Sequence, residues 1–276
     1  MPVNDELGKR MKEYYEQIPK TRLIRRTPVA IRLDGKAFHT FTRGFQKPFD
    51  EILVKSMQDT MKYLCENIQG CVLGYTQSDE ITLILVDYKN LNSDAWFDYE
   101  VMKMCSIAAS MATMAFNKAF YNNVEEFKKK ECSYYTRVLS EACKKGAMFD
   151  ARVFNIPKEE VTNLIYWRQL DATRNSIQMV GQANFSHKEL HKKSCNMIQD
   201  MLMTQKSINW NDYPTHLKRG SCCIKEEYFA EHIIHNIYGN PPEHEGTQRS
   251  RWIIDKEIPI FKGEGREYIE KLINFE

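Results

Sequence analysis

The sequence predicts an α+β fold in β-α-β-β-α-β order, the ferredoxin-like arrangement with an antiparallel sheet, followed by a helical extension. Three observations predict it. Apolar residues alternate with a period of two over Val29 to Leu33. They recur at three- and four-residue spacing after Asp50 and again after Tyr99. Between those helical stretches lie two short β-prone runs, Cys71 to Tyr75 and Ile81 to Val86, separated by a polar turn.

Each element follows from its residues. Val29, Ile31 and Leu33 alternate with Ala30 and Arg32, so the first strand has one apolar face. Arg32 and Asp34 lean together away from that face. Asp50 is placed as the N-cap of a helix whose Leu53, Met57, Met61, Leu64 and Ile68 form one stripe. Thr76 to Asp79 reads as a hairpin turn with Asp79 at its tip. The second helix carries Val101, Met104, Ala108, Met111 and Ala115 at helical spacing. Its small residues, Ser106 and Ala108 to Ser110, allow close approach to a sheet. Met148 to Ile156 reads as the fourth strand, stopped by Pro157. This order puts both helices on one face of the sheet and leaves the other face for a ligand.

Beyond Pro157 the pattern turns helical over Val161 to Met179 and Lys188 to Met203. Short strands are expected at His216 to Ile224 and Trp252 to Phe261, with an exposed loop at Gly239 to Gly246. Residues 1–157 read as a catalytic core, and 158–276 as a helical and short-strand extension packed on it as one structural unit.

The chain has 276 residues, 42% of them hydrophobic and 28% charged, the balance of a folded soluble protein. No apolar run approaches the roughly 20 residues of a membrane helix. The acidic N-terminus lacks an apolar signal region, so the cytoplasm is the expected compartment and no membrane partner is expected. The net charge of +2 is small, but basic residues cluster at Arg22, Arg25 and Arg26, Lys128 to Lys130, Lys144 and Lys145, Lys192 and Lys193, Lys218 and Arg219, and Arg249 and Arg251. Clusters sharing a face would bind a phosphate backbone; the plainer reading is solvated surface. Eight cysteines contain no Cys-x-x-Cys pair, which argues against a zinc site and for reduced thiols.

Asp34-Gly35 ends one apolar run and Gln77-Ser78-Asp79-Glu80 joins two others. Mg²⁺ commonly takes one or two carboxylates and completes its octahedron with phosphates, water and carbonyls. Gly35 lets the chain turn and its carbonyl approach an ion, and the amides of Lys36 to His39 could cradle a triphosphate. Asp-Gly alone is more often a plain turn. In this strand order, however, the first strand neighbours the hairpin, which brings Asp34 near Asp79. Two divalent ions held there would activate a hydroxyl and stabilise a leaving pyrophosphate.

These residues resemble the histidine-tRNA guanylyltransferase family and its bacterial and archaeal relatives, palm-fold polymerases that add nucleotides in the 3′-to-5′ direction. The resemblance spans about Asp5 to Lys225. It rests on Arg32-Leu33-Asp34-Gly35 with Phe38-His39 and Phe41, Lys47-Pro48 with Asp50, and Gly74-Tyr75 with Gln77-Ser78-Asp79-Glu80. Further along it rests on Phe149-Asp150-Ala151-Arg152-Val153, Tyr166-Trp167-Arg168-Gln169 and Lys218-Arg219-Gly220-Ser221. It implies a polymerase palm in which Asp34, the Gly35 carbonyl and Asp79 bind two Mg²⁺ ions. It implies that Asp34, Gly35, Lys36, Ala37, Phe38 and His39, with Ser78 and Asp79, line an ATP or GTP substrate. Lys47 and Lys103 fall where the family contacts phosphates, Asn175 is a further expected nucleotide-site residue, and Glu80, counted with Asp34 and Asp79 as catalytic, supports the metal ligands from behind. The implied partners are tRNA and nucleoside triphosphates, and the implied assembly is a homotetramer.

One departure separates branches of that family. After Trp167-Arg168-Gln169 the eukaryotic branch carries His-x-Asn-Asn; here Thr173 holds the histidine position, Ser176 the second asparagine, and only Asn175 survives. The sequence therefore resembles the like-protein branch, which repairs 5′-truncated tRNA by template-directed addition, more than the enzymes that add one guanylate to histidine tRNA. Alternatives on the same carboxylates are another palm-fold nucleotidyltransferase or cyclase, and a non-catalytic RNA-binding protein. His187 and His191 stand at i, i+4 spacing without an evident third ligand; they and His232 with His235 read as surface histidines.

Overall fold

The alternating runs pair as their periodicity demands. In a computed structural model that describes residues 5–131, 133–234 and 243–274, six strands form one antiparallel sheet in the order β4-β1-β3-β2-β5-β6. A short helix α1 (Glu6–Met11) precedes β1 (Val29–Gly35) and a single helical turn α2 (Phe38–Phe41). Then come α3 (Glu51–Asn67), β2 (Cys71–Gln77), β3 (Glu80–Leu85), α4 (Val101–Lys128), α5 (Tyr134–Lys145) and β4 (Phe149–Asn155). The first four strands in the order β4-β1-β3-β2 are the ferredoxin-like arrangement read from the sequence. Asp50 caps α3 as expected, its carboxylate accepting from the Leu53 N–H at 3.0 Å.

Strand parity sorts the core. Val29, Ile31 and Leu33 face α3 and α4, where Met57, Met61, Leu64, Met104, Ala108 and Phe116 complete one buried cluster. Each large side chain buried there contributes roughly 1.5–3 kcal/mol. The helix α3 approaches β2 closely because Gly74 has no side chain. A Cβ at Gly74 would stand 2.5 Å from Cys65 Sγ and 2.8 Å from Met61 Cγ.

The second face of the sheet is not free. Ala30, Leu73, Tyr75 and Ile84 pack against Val161 and Ile165 of α6 (Val161–Asn184), and against Phe261, Ile269 and Ile273. The last two lie on α10 (Glu267–Ile273). The open face expected from a bare β-α-β-β-α-β unit is covered because the chain beyond Pro157 supplies its own apolar stripe. What the sheet itself leaves for a ligand is the end of its strands at Asp34 and Asp79.

The remaining elements differ in detail from the expectation. The segment Lys188 to Met203 is two helices, α7 (His187–Leu190) and α8 (Cys195–Lys206), each capped by a serine, Ser186 and Ser194. His216 to Arg219 belongs to a helix, α9 (Thr215–Arg219), and the strand begins only after Gly220, which holds φ +82°. The two final strands are long: β5 (Ser221–Ile234) pairs with β2 only over Ser221 to Cys223 and with β6 (Glu243–Asp255) along its length. Glu243 to Gly246 is therefore strand rather than loop, and Trp252 to Phe261 is strand only as far as Asp255. The rest of that expected loop, 239–242, and His235 lie outside the described residues. Among the described residues no helix is long and apolar enough to cross a membrane, and the cysteines are free thiols.

Candidate active site

The two acids meet at the strand ends. Asp34 lies opposite Glu80 in the β1–β3 register and opposite Asp150 in the β1–β4 register. The Gly35 N–H donates to the Asp79 carbonyl at 3.1 Å, which fixes the β1 end to the hairpin turn. That turn has two residues, Ser78 and Asp79, with Ser78 at φ +50° and its hydroxyl donating to the Asp79 carboxylate at 3.0 Å. Gly35 is required by space: a Cβ there would stand 2.2 Å from the Phe38 ring. With that space open, Ala37 takes a left-handed conformation. Phe38 turns inward onto Phe41, Phe116 and Phe149, with ring centroids 5.2–5.5 Å apart.

The charges at this corner are unequally satisfied. Glu80 Oε1 accepts from Arg32 at 2.9 Å and Oε2 from Arg168. Arg168 also binds Asp171 at 2.8 Å, and Asp171 in turn holds Arg174. Arg152 stands 3.7 Å from Asp150. Among the described residues, neither Asp34 nor Asp79 forms an ion pair. Burial raises the Asp34 carboxyl above its ordinary range, and the charges of Glu80 and Asp150 add to this against Arg152 and Arg32. Burial also raises Asp79, and the Ser78 hydroxyl only partly offsets it. Two desolvated, unpaired carboxylates beside one another form a site with a deficit of positive charge.

This donor set fits Mg²⁺. Among the described residues no three His, Cys, Asp or Glu side chains converge as a cage, and none is needed, since Mg²⁺ takes one or two carboxylates and fills its sphere from phosphate, water and carbonyl oxygens. Glu80 is not available to an ion because two guanidiniums occupy its oxygens. It positions the turn instead.

Beside the acids opens a cleft of about 530 Å³. Its walls include Gly35, Ala37, Phe38, His39, Lys47, Ser78 and Asp79. The structure thus brings most of the expected nucleotide-site residues together; Asp34, one residue before Gly35, does not itself line the cleft. Lys36 is exposed and uses its N–H on the Met148 carbonyl, and it does not line the cleft. Lys103 sits at the start of α4 with its ammonium 4.8 Å from the Phe97 ring centroid, and it does not line the cleft either. Asn175 lines a smaller adjoining cavity with Ser78 and Gln77 and reaches Asp171 at 3.4 Å. Sequence reasoning missed Gln46, Met179 and Gln182, which also line the cleft. Nothing in the local pattern of α6 marks Met179 or Gln182 as site residues. The Arg32–Glu80 pair had a signal: period two puts Arg32, Asp34 and Glu80 on one face of neighbouring strands.

Several basic clusters are already neutralised. Arg22 and Arg25 each stand 2.6 Å from Asp98. Lys128 pairs with Glu125 and Lys144 with Glu141, each at 2.7 Å. Lys218 is buried, donates to the Asn211 carbonyl at 2.5 Å and stacks over Trp210. The expected phosphate surface cannot use Lys218, because its charge is spent inside the fold.

Ser176 and Thr173, at the departure positions, are both bonded within the fold. The Ser176 hydroxyl accepts from Trp210 Nε1 at 3.2 Å and contacts the Thr173 and Lys218 carbonyls, and Thr173 donates to the Gln169 carbonyl at 2.9 Å.

Comparison with known proteins agrees with this geometry. The family model of tRNAHis guanylyltransferase matches residues 8–157, more than half the chain. A solved bacterial tRNA(His) guanylyltransferase-like protein in complex with ATP is 40% identical, with a TM-score of 0.78 over 98% of this chain and 100% of its own. A second such structure, in complex with GTP, is 37% identical with a TM-score of 0.73 over the same shares. The tRNA(His) guanylyltransferase of Debaryomyces hansenii is 25% identical over 228 residues, covering 78% of this chain and 80% of that protein.

Proposed function

Because the chain belongs to the tRNAHis guanylyltransferase family and is a nucleotidyltransferase, we propose that it adds nucleotides in the 3′-to-5′ direction, copying a template, to the 5′ end of truncated tRNA. The observation that carries this reading is the pair Asp34 and Asp79, neither of them ion-paired among the described residues: Asp79 lines a cleft large enough for a nucleoside triphosphate, and Asp34 directly precedes Gly35 in its wall.

Asp34, Asp79 and the Gly35 carbonyl would hold two Mg²⁺ ions. When bound, they supply positive charge to the triphosphate and acidity to the attacking hydroxyl. The chain's own part is positioning. His39 and Lys47 face the cleft where the phosphates would lie. The Arg32–Glu80–Arg168 network fixes β3 at its first residue and so fixes Asp79 beside it. In the first step an oxygen of the RNA 5′-monophosphate attacks the α-phosphorus of ATP or GTP and pyrophosphate leaves. In the second, the 3′-hydroxyl of the incoming triphosphate attacks the activated 5′ phosphorus and the nucleoside monophosphate leaves. Both are in-line displacements that gain chiefly from held geometry and neutralised charge.

Two observations favour the repair branch over single guanylate addition. Thr173 and Ser176 replace the branch-specific polar pair and spend their hydroxyls inside the fold. The bacterial like proteins, bound to ATP and GTP, match nearly the whole chain. A cytoplasmic homotetramer completes the proposal. The test is incorporation of labelled nucleotide, with Mg²⁺ and ATP, into a 5′-monophosphorylated tRNA lacking its first residue. Addition should follow the base opposite the gap; addition of guanylate whatever that base would favour the histidine-tRNA reaction.

A further inference from the structure

A second cavity lies just past the nucleotide cleft. It measures about 520 Å³ and shares the Gln182 wall with the cleft. Its floor is apolar, formed by Phe185, Leu190 and Ile198; its rim carries His187, His191, Lys192 and Lys193, and Gln178 and Gln182 add amides. Gly181 makes the floor possible, since a Cβ there would stand 2.8 Å from Ile198 Cγ2 and 3.5 Å from Leu190. Ser186 stops α6 from continuing and starts α7 with a capping box, which turns His187 and His191 back beside each other, ring centroids 6.3 Å apart.

The charge on this rim is uncommitted. Among the described residues neither Lys192 nor Lys193 forms an ion pair, and no acid lines the cavity. The one acid on α7, Glu189, accepts from the Ser186 N–H at 2.7 Å and hydroxyl at 2.6 Å, so its carboxylate is engaged at the cap. Lys192 holds φ +58°, a left-handed conformation unusual for lysine.

We propose that this cavity binds one unpaired nucleotide of the RNA acceptor end: the base against the apolar floor and glutamine amides, the flanking phosphates on Lys192, Lys193 and the histidines. The volume suits a nucleotide, and a concave pocket with an apolar floor does not admit a duplex backbone. An acceptor stem missing its 5′ residue presents its unpaired strand as the 3′ overhang, next to the site of addition. The proposal rests on the function argued above for the neighbouring cleft, whose substrate is that RNA.

The test is fluorescence anisotropy with a 5′-monophosphorylated acceptor hairpin, made with a single-stranded 3′ overhang or blunt. Lys192→Asn/Lys193→Gln keeps the left-handed position tolerable, since asparagine accepts it; Lys129→Gln/Lys145→Gln is the control. The overhang RNA should bind the first variant roughly tenfold more weakly, with the salt slope reduced by about 1.4 for two lost single-strand phosphate contacts. The control variant, and the blunt hairpin on either variant, should match wild type. Equal losses for overhang and blunt RNA, or no loss for either, would overturn the proposal. Wild-type protein that binds with overhang dependence but incorporates nothing would leave the cavity standing and refute the polymerase reading. Incorporation without overhang dependence would do the reverse.

Discussion

Arg168→Met tests the network that holds the catalytic corner. The Arg168 side chain is 4% exposed and Glu80 15%, so their ion pair is shielded from water. Breaking a buried pair by removing one partner costs about 3–5 kcal/mol. Arg32 stays on Glu80 at 2.9 Å and Arg174 stays on Asp171, which puts the cost near the low end, about 3 kcal/mol. Methionine keeps much of the stem that packs on Trp167, whose ring centroid lies 4.5 Å from the guanidinium carbon. For a chain of this size 1 kcal/mol shifts Tm by about 2–4 °C, so Tm should fall by roughly 6–12 °C. The assay is thermal melting of wild type, Arg168→Met, Glu80→Gln and the double variant. The cycle should return a coupling of about 2 kcal/mol, because each single change strands part of the other's partner. A Tm loss under 2 °C, or additive single effects, would refute the view that Arg168 anchors the hairpin through Glu80.

The metal-free protein should lose stability as pH rises. Asp34 and Asp79 have folded values raised above their ordinary 3.8, so the folded state binds more protons across that window. Stability therefore declines as pH climbs from about 4 through the raised values and stays lower above them. Asp34→Asn should raise Tm at pH 7 without Mg²⁺ and should abolish the Tm increase that Mg²⁺ with ATP gives wild type; an unchanged Mg²⁺ response would contradict the site. Gly74→Ala should cost about 1–3 kcal/mol in urea unfolding, since its Cβ would press Cys65 and Met61 away from β2. A neutral result would mean that α3 shifts freely.

How much of this was legible in the sequence depends on what fixed each element. The core strands and α3 were readable because their apolar periodicity, cap and turn residues agree locally: Asp50 starts α3, and Ser78-Asp79 closes the hairpin. The proximity of Asp34 and Asp79 followed from strand order alone. The covered second face was not legible, because the apolar stripe of α6 could have packed elsewhere. The strand expected at His216 failed for a local reason, since Gly220 at φ +82° separates helix from strand one turn later. That Lys103 and Asn175 reach the nucleotide is a family expectation; neither lines the cleft, and their distances across α4 and α6 are tertiary and leave no local mark. Lys218 looked like surface charge, and only packing on Trp210 showed otherwise.

The proposed function places Asp34 and Asp79 at the centre of templated 5′ addition. The most direct measurement supplies Mg²⁺, ATP and labelled nucleotides to a 5′-monophosphorylated tRNA missing its first residue, with the base opposite the gap varied. Label should enter the 5′ end according to that base, and Asp34→Ala and Asp79→Ala should each lower the rate at least a thousandfold, about 4 kcal/mol. RNA binding without incorporation by wild type, or incorporation undiminished in either variant, would contradict it.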